Sequence, residues 1–446
     1  MATFKQMQII SQPIQKSLER LKIQINEIQA ASLKASAEHD NITLLAPTGS
    51  GKTLAFLFPL LNLLKPDTGH VQVLILAPSR ELAMQIEQVF RSLGSGCKVS
   101  CCYGGHPMKI EKNNLINAPA VIIGTPGRIA DHLRRGNFSP DGLHTLVLDE
   151  FDKSLELGFE EEMNFIIAQL GYLKKRMLTS ATSMDKNIPL FEGRISFFEL
   201  NYLKETLPPR LKVKIVRANG KDKLDALLHL LCEVGNDATL VFCNHREAVD
   251  RISELLDLQG MDHDVFHGGL KQEEREKALT KFRNGSFRIL ITTDLASRGL
   301  DIPEIQSVVH YQLAITQDAF IHRNGRTARM YAHGNAYLLM AENDTLPPYL
   351  NETPEFVEFT EKLKLPPKPK WTTVYIGGGK KDKINKVDIV GLLLQKGGLE
   401  KDDVGLIEVH DHASYVAVNR SKATQTVQLL KNEKIKKQNV KIELSR

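Results

Sequence analysis

Short apolar runs punctuate the first half of the chain at residues 41–46, 71–77, 119–124 and 143–149, with longer helix-like stretches such as Ser79–Leu93 and Phe159–Leu170 between them. A strand without polar alternation is buried on both faces, and strands separated by helices run parallel. The pattern therefore predicts a parallel sheet sandwiched between helices. It restarts after Pro208-Pro209 with Ala238–Cys243, Val265–His267, Phe287–Thr292 and Ser307–Tyr311. Two α/β domains in tandem are expected, residues 1–204 and 205–345, hinged near 204–210.

The rhythm changes after Thr345. Pro347-Pro348, Pro354, Pro366-Pro367 and Pro369 punctuate residues 346–370, a segment expected to space rather than to pack. Residues 371–446 then read as strand Thr372–Ile376, helix Val387–Lys396, strands Leu406–Val409 and Tyr415–Val418, helix Ala423–Asn432 and strand Val440–Leu444. That β-α-β-β-α-β order is the ferredoxin-like layout used by RNA-recognition (RRM) modules. A length of 446 residues suits about three domains, and 42% hydrophobic with 25% charged residues is ordinary for a soluble globular protein. No apolar run approaches the roughly 20 residues of a membrane span, and Met1–Lys5 open no secretory signal. The five cysteines form no zinc-type pairs, as expected of reduced thiols in the cytoplasm. Charge is uneven: Lys and Arg outnumber Asp and Glu by 14 to 9 in residues 371–446 and balance at 44 each in the rest. A basic appendage on a neutral body fits a polyanion partner, although charge alone also fits a solvated surface.

The densest chemical signal is Ala46-Pro47-Thr48-Gly49-Ser50-Gly51-Lys52-Thr53, directly between an apolar strand and an apolar helix. Glycines let the backbone wrap phosphates, and the N–H groups of a helix N-terminus face the anion. Lys52 would reach the β- and γ-phosphates of a nucleoside triphosphate and Thr53 would hold Mg²⁺. Asp149-Glu150 closes another apolar strand, 97 residues after Lys52. Asp149 would position the metal through water, and Glu150 would orient or deprotonate the attacking water. The second domain has no phosphate loop. It carries instead His322-Arg323-Asn324-Gly325-Arg326-Thr327-Ala328-Arg329, three arginines spaced to share one helix face. Facing a nucleotide, Arg326 and Arg329 would act as arginine fingers on the γ-phosphate; facing solvent, they would be a basic helix and nothing more.

Read together, these motifs resemble those of the DEAD-box RNA helicases. The resemblance runs through Gln29 with upstream Phe4, the loop 46–53, Pro78-Ser79-Arg80-Glu81-Leu82, Gly104-Gly105, Thr125-Pro126-Gly127-Arg128, Asp149-Glu150-Phe151-Asp152 and Ser180-Ala181-Thr182. It continues through Val241-Phe242-Cys243-Asn244, Gln272 with Arg275, Thr293-Asp294, Arg298-Gly299-Leu300-Asp301 and the arginine segment. It implies two tandem RecA-like domains and an RNA-stimulated ATP hydrolase using ATP and Mg²⁺. Gln29 would read adenine and Asp301 the ribose. Arg80, Gly105, Thr125 and Arg128 would touch the RNA backbone from the first domain; Asn244, Gly268, Gln272, Arg275 and Thr293 would do so from the second. Such contacts position a strand without reading its sequence. Ser180 and Thr182 would couple the acidic strand to domain closure.

Three departures stand out. Phe151 replaces the family's Ala, at a cost of about 1–3 kcal/mol if the site cannot make room. Asn26-Glu27 replaces Thr-Pro ahead of Gln29, and Ala328 replaces Gly in the arginine segment. The last module resembles the RNA-binding domain of the DbpA branch, through Tyr375–Lys383 and Ser414–Val418. That branch implies a structured ribosomal RNA target and a role in large-subunit assembly; a monomeric cytoplasmic protein is expected. Lys380, Lys381 and Lys383 are the expected phosphate contacts. Tyr375 and Tyr415 either stack on bases or pack at the sheet. An alternative to unwinding is a nucleotide-gated RNA clamp.

Overall fold

The structure, a computed structural model, describes residues 12–66, 68–105, 107–182, 191, 195–203, 211–296, 305–327, 334–350, 353–359 and 364–445. These fall into two compact units, one ending at residue 203 and the other beginning at residue 211.

In the first unit, Asn41–Leu45 (β1), Val73–Leu76 (β2), Val99–Cys102 (β3), Val121–Gly124 (β4), Thr145–Leu148 (β5), Lys175–Ser180 (β6) and Phe198–Asn201 (β7) form one sheet in the order β3-β4-β2-β5-β6-β1-β7. Every pairing is parallel. Successive side chains leave opposite faces. Val73, Ile75, Val121, Ile123 and Val147 pack with Phe56, Ile86 and Phe90 in one core. Leu74, Leu76, Ile122, Leu146 and Leu148 pack with Ile129, Met163 and Ile166 in another. Both faces are covered, as the unbroken apolar runs require.

The second unit repeats this plan. Leu211–Arg217 (β8), Thr239–Phe242 (β9), Asp264–Phe266 (β10), Ile289–Thr292 (β11), Ser307–His310 (β12), Gly334–Met340 (β13) and Glu355–Phe356 (β14) run parallel in the order β10-β11-β9-β12-β13-β8-β14. That is the first sheet's permutation, strand for strand. Even the connections match: residues 46–51 join β1 to the helix Lys52–Leu63, and residues 218–223 join β8 to the helix Leu224–Val234. The segment expected only to space the domains supplies β14, the counterpart of β7. Val357 and Phe359 pack on the core of the second sheet, and the Arg217 guanidinium lies 4.4 Å from the Phe356 ring centre. Proline punctuation marked the bends there, but these few apolar residues suffice to anchor an edge strand.

Trp371–Ile376 (β15), Val404–Val409 (β16), Ser414–Asn419 (β17), Lys434–Ile435 (β18), Gln438–Asn439 (β19) and Ile442–Leu444 (β20) make up the last module. Its antiparallel sheet has the order β16-β17-β15-β20, and β18 pairs β19 in a small hairpin. Val374, Ile376, Val416 and Val418 face Ile389, Leu393 and Leu430 on the two helices. The opposite sheet face is docked on the second α/β domain through the end of the helix Gln272–Arg283. There Arg283 grips Glu408 with two hydrogen bonds, at 2.9 and 2.7 Å, and Asn284 and Ser286 reach the Thr373 hydroxyl at 2.9 and 2.8 Å. Arg420 pairs with Asp262 at 3.1 Å. Burial opposes charge on His410, but hydrogen bonds to Glu276 and Glu408 outweigh it and hold its pKa up at about 9.

Candidate active site and nucleic-acid interface

All strands of a parallel sheet end on one edge, where loops collect function. In the first domain that edge divides in two. Adjacent strands β1, β6 and β5 carry the phosphate loop, Ser180–Thr182 and Asp149-Glu150. Their neighbours β2, β4 and β3 carry Arg80, Thr125–Arg128 and Gly104-Gly105. The residues expected to handle nucleotide and those expected to handle RNA are thus sorted by strand order.

Within the phosphate loop, Gly51 adopts φ +89, and a Cβ there would stand 2.5 Å from Gln29 Nε2. Only glycine fits both demands. Lys52 is buried, its Nζ donating to the carbonyls of Ala46 and Pro47 at 2.6 and 3.1 Å. Asn26 takes over the capping work of the residue it replaces. Its Oδ1 accepts from Gln29 N at 2.9 Å, its own N–H donates to Gln29 Oε1 at 3.0 Å, and its Nδ2 donates to Ser50 O at 2.9 Å. Gln29 is thereby held against the loop.

Asp149 accepts a hydrogen bond from the Thr179 hydroxyl. Burial drives its carboxyl above the usual range, with Thr179 and Lys52 pulling the other way. The folded protein therefore holds this proton more tightly than the unfolded chain does. Ionisation costs stability above the raised pKa, and the cost vanishes below the unfolded value. Asp149→Asn stays neutral and still accepts from Thr179. It is expected to raise the melting temperature of the nucleotide-free protein at neutral pH by about 1–3 °C and to abolish ATP hydrolysis. Thermal melts beside an ATPase assay check both. Asp152, in the helix Phe151–Glu156 that follows β5, accepts from Thr182 Oγ1 at 2.8 Å, which ties the acidic segment to Ser180–Thr182. Phe151, far from being squeezed out, is 1% exposed in the core with Leu148, Met163 and Leu178.

On the other half of the edge, the Arg80 guanidinium lies over Gly104, where an added Cβ would meet it at 3.1 Å. Gly105 has φ +95, and Thr125 caps the helix Pro126–Arg134 that carries Arg128. Arg128 Nη1 pairs with Glu111 at 3.2 Å. Glu111 left no signal in the sequence, because its partners are scattered along the chain.

In the second domain Asn244, Gly268 and Thr293 follow β9, β10 and β11, the counterparts of β2, β3 and β4. Gln272 and Arg275 share one turn, with Arg275 Nη2 donating to Gln272 Oε1 at 2.5 Å. The arginine segment corrects the sequence expectation. Its helix spans Gln317–Asn324, Gly325 caps it, and Arg326 lies in the turn beyond. Gly325 is a poor helix former, and Thr327 Oγ1 donates to Ile305 O at 2.6 Å, drawing the backbone away. Arg323 and Arg326 therefore do not share a helix face. Arg323 is internal, holding Asp294 at 2.6 Å, Asn244 Oδ1 at 2.7 Å and Gln312 O at 2.7 Å. Phe4, Arg298, Asp301, Ala328 and Arg329 lie outside the described residues.

In the last module Tyr375 and Tyr415 are half-buried, their rings 5.6 Å apart, on the face that docks. Lys380, Lys381 and Lys383 are exposed at an edge of the module, in the turn after β15, where Lys381 Nζ pairs with Asp411 at 2.9 Å. The β18–β19 hairpin joins that edge, as Lys436 Nζ donates to Lys383 O at 2.7 Å. Lys436 and Lys437 thus extend the basic edge; the charge run Lys434–Lys437 was their signal in the sequence. Among the described residues no helix is long and apolar enough to cross a membrane.

Comparison with known proteins agrees with this geometry segment by segment. The family described as DEAD/DEAH box helicase matches residues 26–189, the helicase conserved C-terminal domain residues 222–331, and the DbpA RNA binding domain residues 373–444. The chain is 30% identical to ATP-dependent RNA helicase DbpA of Bacillus subtilis, with 99% of each chain covered. It is 33% identical to ATP-dependent RNA helicase DbpA of Escherichia coli, over 94% of this chain and 93% of that one. Among solved structures, S. cerevisiae Dbp5 bound to RNA and ADP BeF3 superposes with a TM-score of 0.67 at 27% identity, covering 75% of this chain and 88% of that one. Mss116p bound to ssRNA and AMP-PNP gives 0.68 at 25% identity, covering 76% and 74%. The chain belongs to the DEAD-box ATP-dependent RNA helicases, in the DbpA-like branch.

Proposed function

We propose that this helicase unwinds or locally remodels structured ribosomal RNA during large-subunit assembly, as a cytoplasmic monomer guided by its C-terminal module. The observation that carries the reading is the docked sheet face of that module. A module that reads single strands stacks bases on its sheet. Here Thr373 on that face is 1% exposed, and the lysine edge remains for RNA. Lysines at a loop and a hairpin suit the phosphates of a folded RNA, and the DbpA branch supplies the ribosomal context.

In this reading Gln29 takes adenine, Asp301 the ribose, and residues 46–53 the phosphates. Thr53 and Asp149 would hold Mg²⁺, which fits a buried carboxylate whose charge is otherwise poorly supported. Glu150 orients the water, and Arg326 with Arg329 stabilises charge on the γ-phosphate. Arg80, Gly105, Thr125, Arg128, Asn244, Gly268, Gln272, Arg275 and Thr293 hold the RNA backbone.

The test is Lys380, Lys381 and Lys383 changed together to Ala. Binding to a structured large-subunit ribosomal RNA fragment should weaken, and the salt slope of log affinity should fall by about 2–3. ATPase stimulation by excess generic RNA should persist. If the variant still prefers the fragment over random RNA of equal length, specificity lies elsewhere.

A further inference from the structure

Beneath the RNA half of the first sheet edge lies a buried polar array that the ATPase chemistry does not use. Glu111, on the helix Met108–Leu115, has a side chain only 6% exposed. Its Oε1 accepts from Tyr103 N at 3.0 Å, while Oε2 faces His132 Nε2 at 2.8 Å and Arg128 Nη1 at 3.2 Å. His132 is fully buried, and Asn137 Nδ2 lies 3.0 Å from its Nδ1. An amide N–H donates, so Nδ1 accepts and Nε2 carries the proton toward Glu111. The sequence of donation runs Asn137 to His132 to Glu111, with Arg128 meeting the same carboxylate.

Cys102, Glu111 and His132 bring potential metal ligands within 4.8 Å of one another. Burial pushes the Cys102 thiol well above its usual range, and the Arg128 cation already balances the carboxylate. The chemistry there is that of an arginine brace, not of a metal site.

We propose that Glu111, held by His132 and Asn137, is a positioning residue that fixes the Arg128 guanidinium for RNA. The proposal rests on the reading that Arg128 contacts the RNA backbone. One edge of the guanidinium is tied to Glu111, which fixes the plane of its fork. A braced side chain loses less rotamer freedom on binding than an unbraced one. Because the brace lies by β3 and β4, apart from the loop 46–53 and from Asp149-Glu150, it acts on RNA affinity.

The experiment measures RNA-stimulated ATPase of the full chain for wild type, Glu111→Gln, Arg128→Ala and the double variant, with poly(U) and a structured ribosomal RNA fragment as probes. Glu111→Gln should raise the RNA concentration for half-maximal stimulation by about 3- to 10-fold, with kcat at saturating RNA and KM for ATP unchanged. In the Arg128→Ala background the same change should add nothing. An equal effect in both backgrounds, or no effect beside a clear one from Arg128→Ala, overturns the proposal. If Arg128→Ala itself leaves half-saturation unchanged, the contact reading falls and the brace with it. Melting curves accompany each variant. Should Glu111→Gln fail to fold, Asn137→Ala, at the half-exposed end of the array, must show the same direction and the same dependence on Arg128.

Discussion

Arg326→Ala is expected to lower kcat for RNA-stimulated ATP hydrolysis by about 10³-fold, with RNA half-saturation changed only a few-fold. Hydrolysis spreads negative charge over the γ-phosphate oxygens, and a preplaced guanidinium stabilises that charge without reorganising. Arg326 is well held for such a task. It is 1% exposed, and the backbone around it is pinned where Ile305 N donates to Arg326 O at 3.4 Å. Arg326→Lys keeps the charge but not the fork, so only part of the activity should return. Melting curves separate catalysis from folding, because the neighbouring Arg323 is a structural cation whose loss would destabilise the domain. Wild-type kcat in a folded Ala variant would remove Arg326 from the chemistry.

Glu150→Gln should slow hydrolysis by about 10²- to 10⁴-fold while ATP still binds. Glu150 stands at φ 47, a left-handed conformation that a non-glycine residue adopts at a cost. Its N–H donates to Thr179 Oγ1 at 3.2 Å, which helps to hold it there. Gln preserves size and polarity but cannot take a proton. The variant is also expected to hold RNA longer in the presence of ATP. Single-turnover hydrolysis and RNA dissociation, measured side by side, check both halves. A Gln variant that turns over normally would move the water-orienting role to another group.

The parts of this molecule that were legible in the sequence are those written in consecutive residues. The phosphate loop and Asp149-Glu150 announce themselves because strand, turn and chemistry share one short window. The interior strands were equally plain, since Leu74–Leu76 or Ile289–Ile291 have no polar residue to confuse the period. The edge strands β7 and β14 were not. Phe198, Glu199, Glu355 and Phe356 face solvent and carry no apolar run. Docking of the last module was invisible for another reason. Thr373, Glu408, Arg283 and Asn284 look like surface residues until the fold pairs them. The arginine segment misled because its spacing fits a helix, whereas Gly325 and the Thr327 bridge end that helix early.

The matched architecture of the two sheets bears on why a triphosphate is expected in one half alone. Residues 218–223 occupy the place of the phosphate loop and lead, like it, into a helix N-terminus. There Asp222 Oδ1 accepts from Leu224 N at 3.1 Å, and Arg251 grips its other oxygen at 2.6 Å. The hydrogen bond from Leu224 leads the effects that hold this carboxyl below the usual range. The second half thus carries its own anion, covalently tethered, at the position where the first half carries its glycine-rich loop. Its cradle survives with the guest sewn in, and what was a receptor in one repeat has become a rivet in the other.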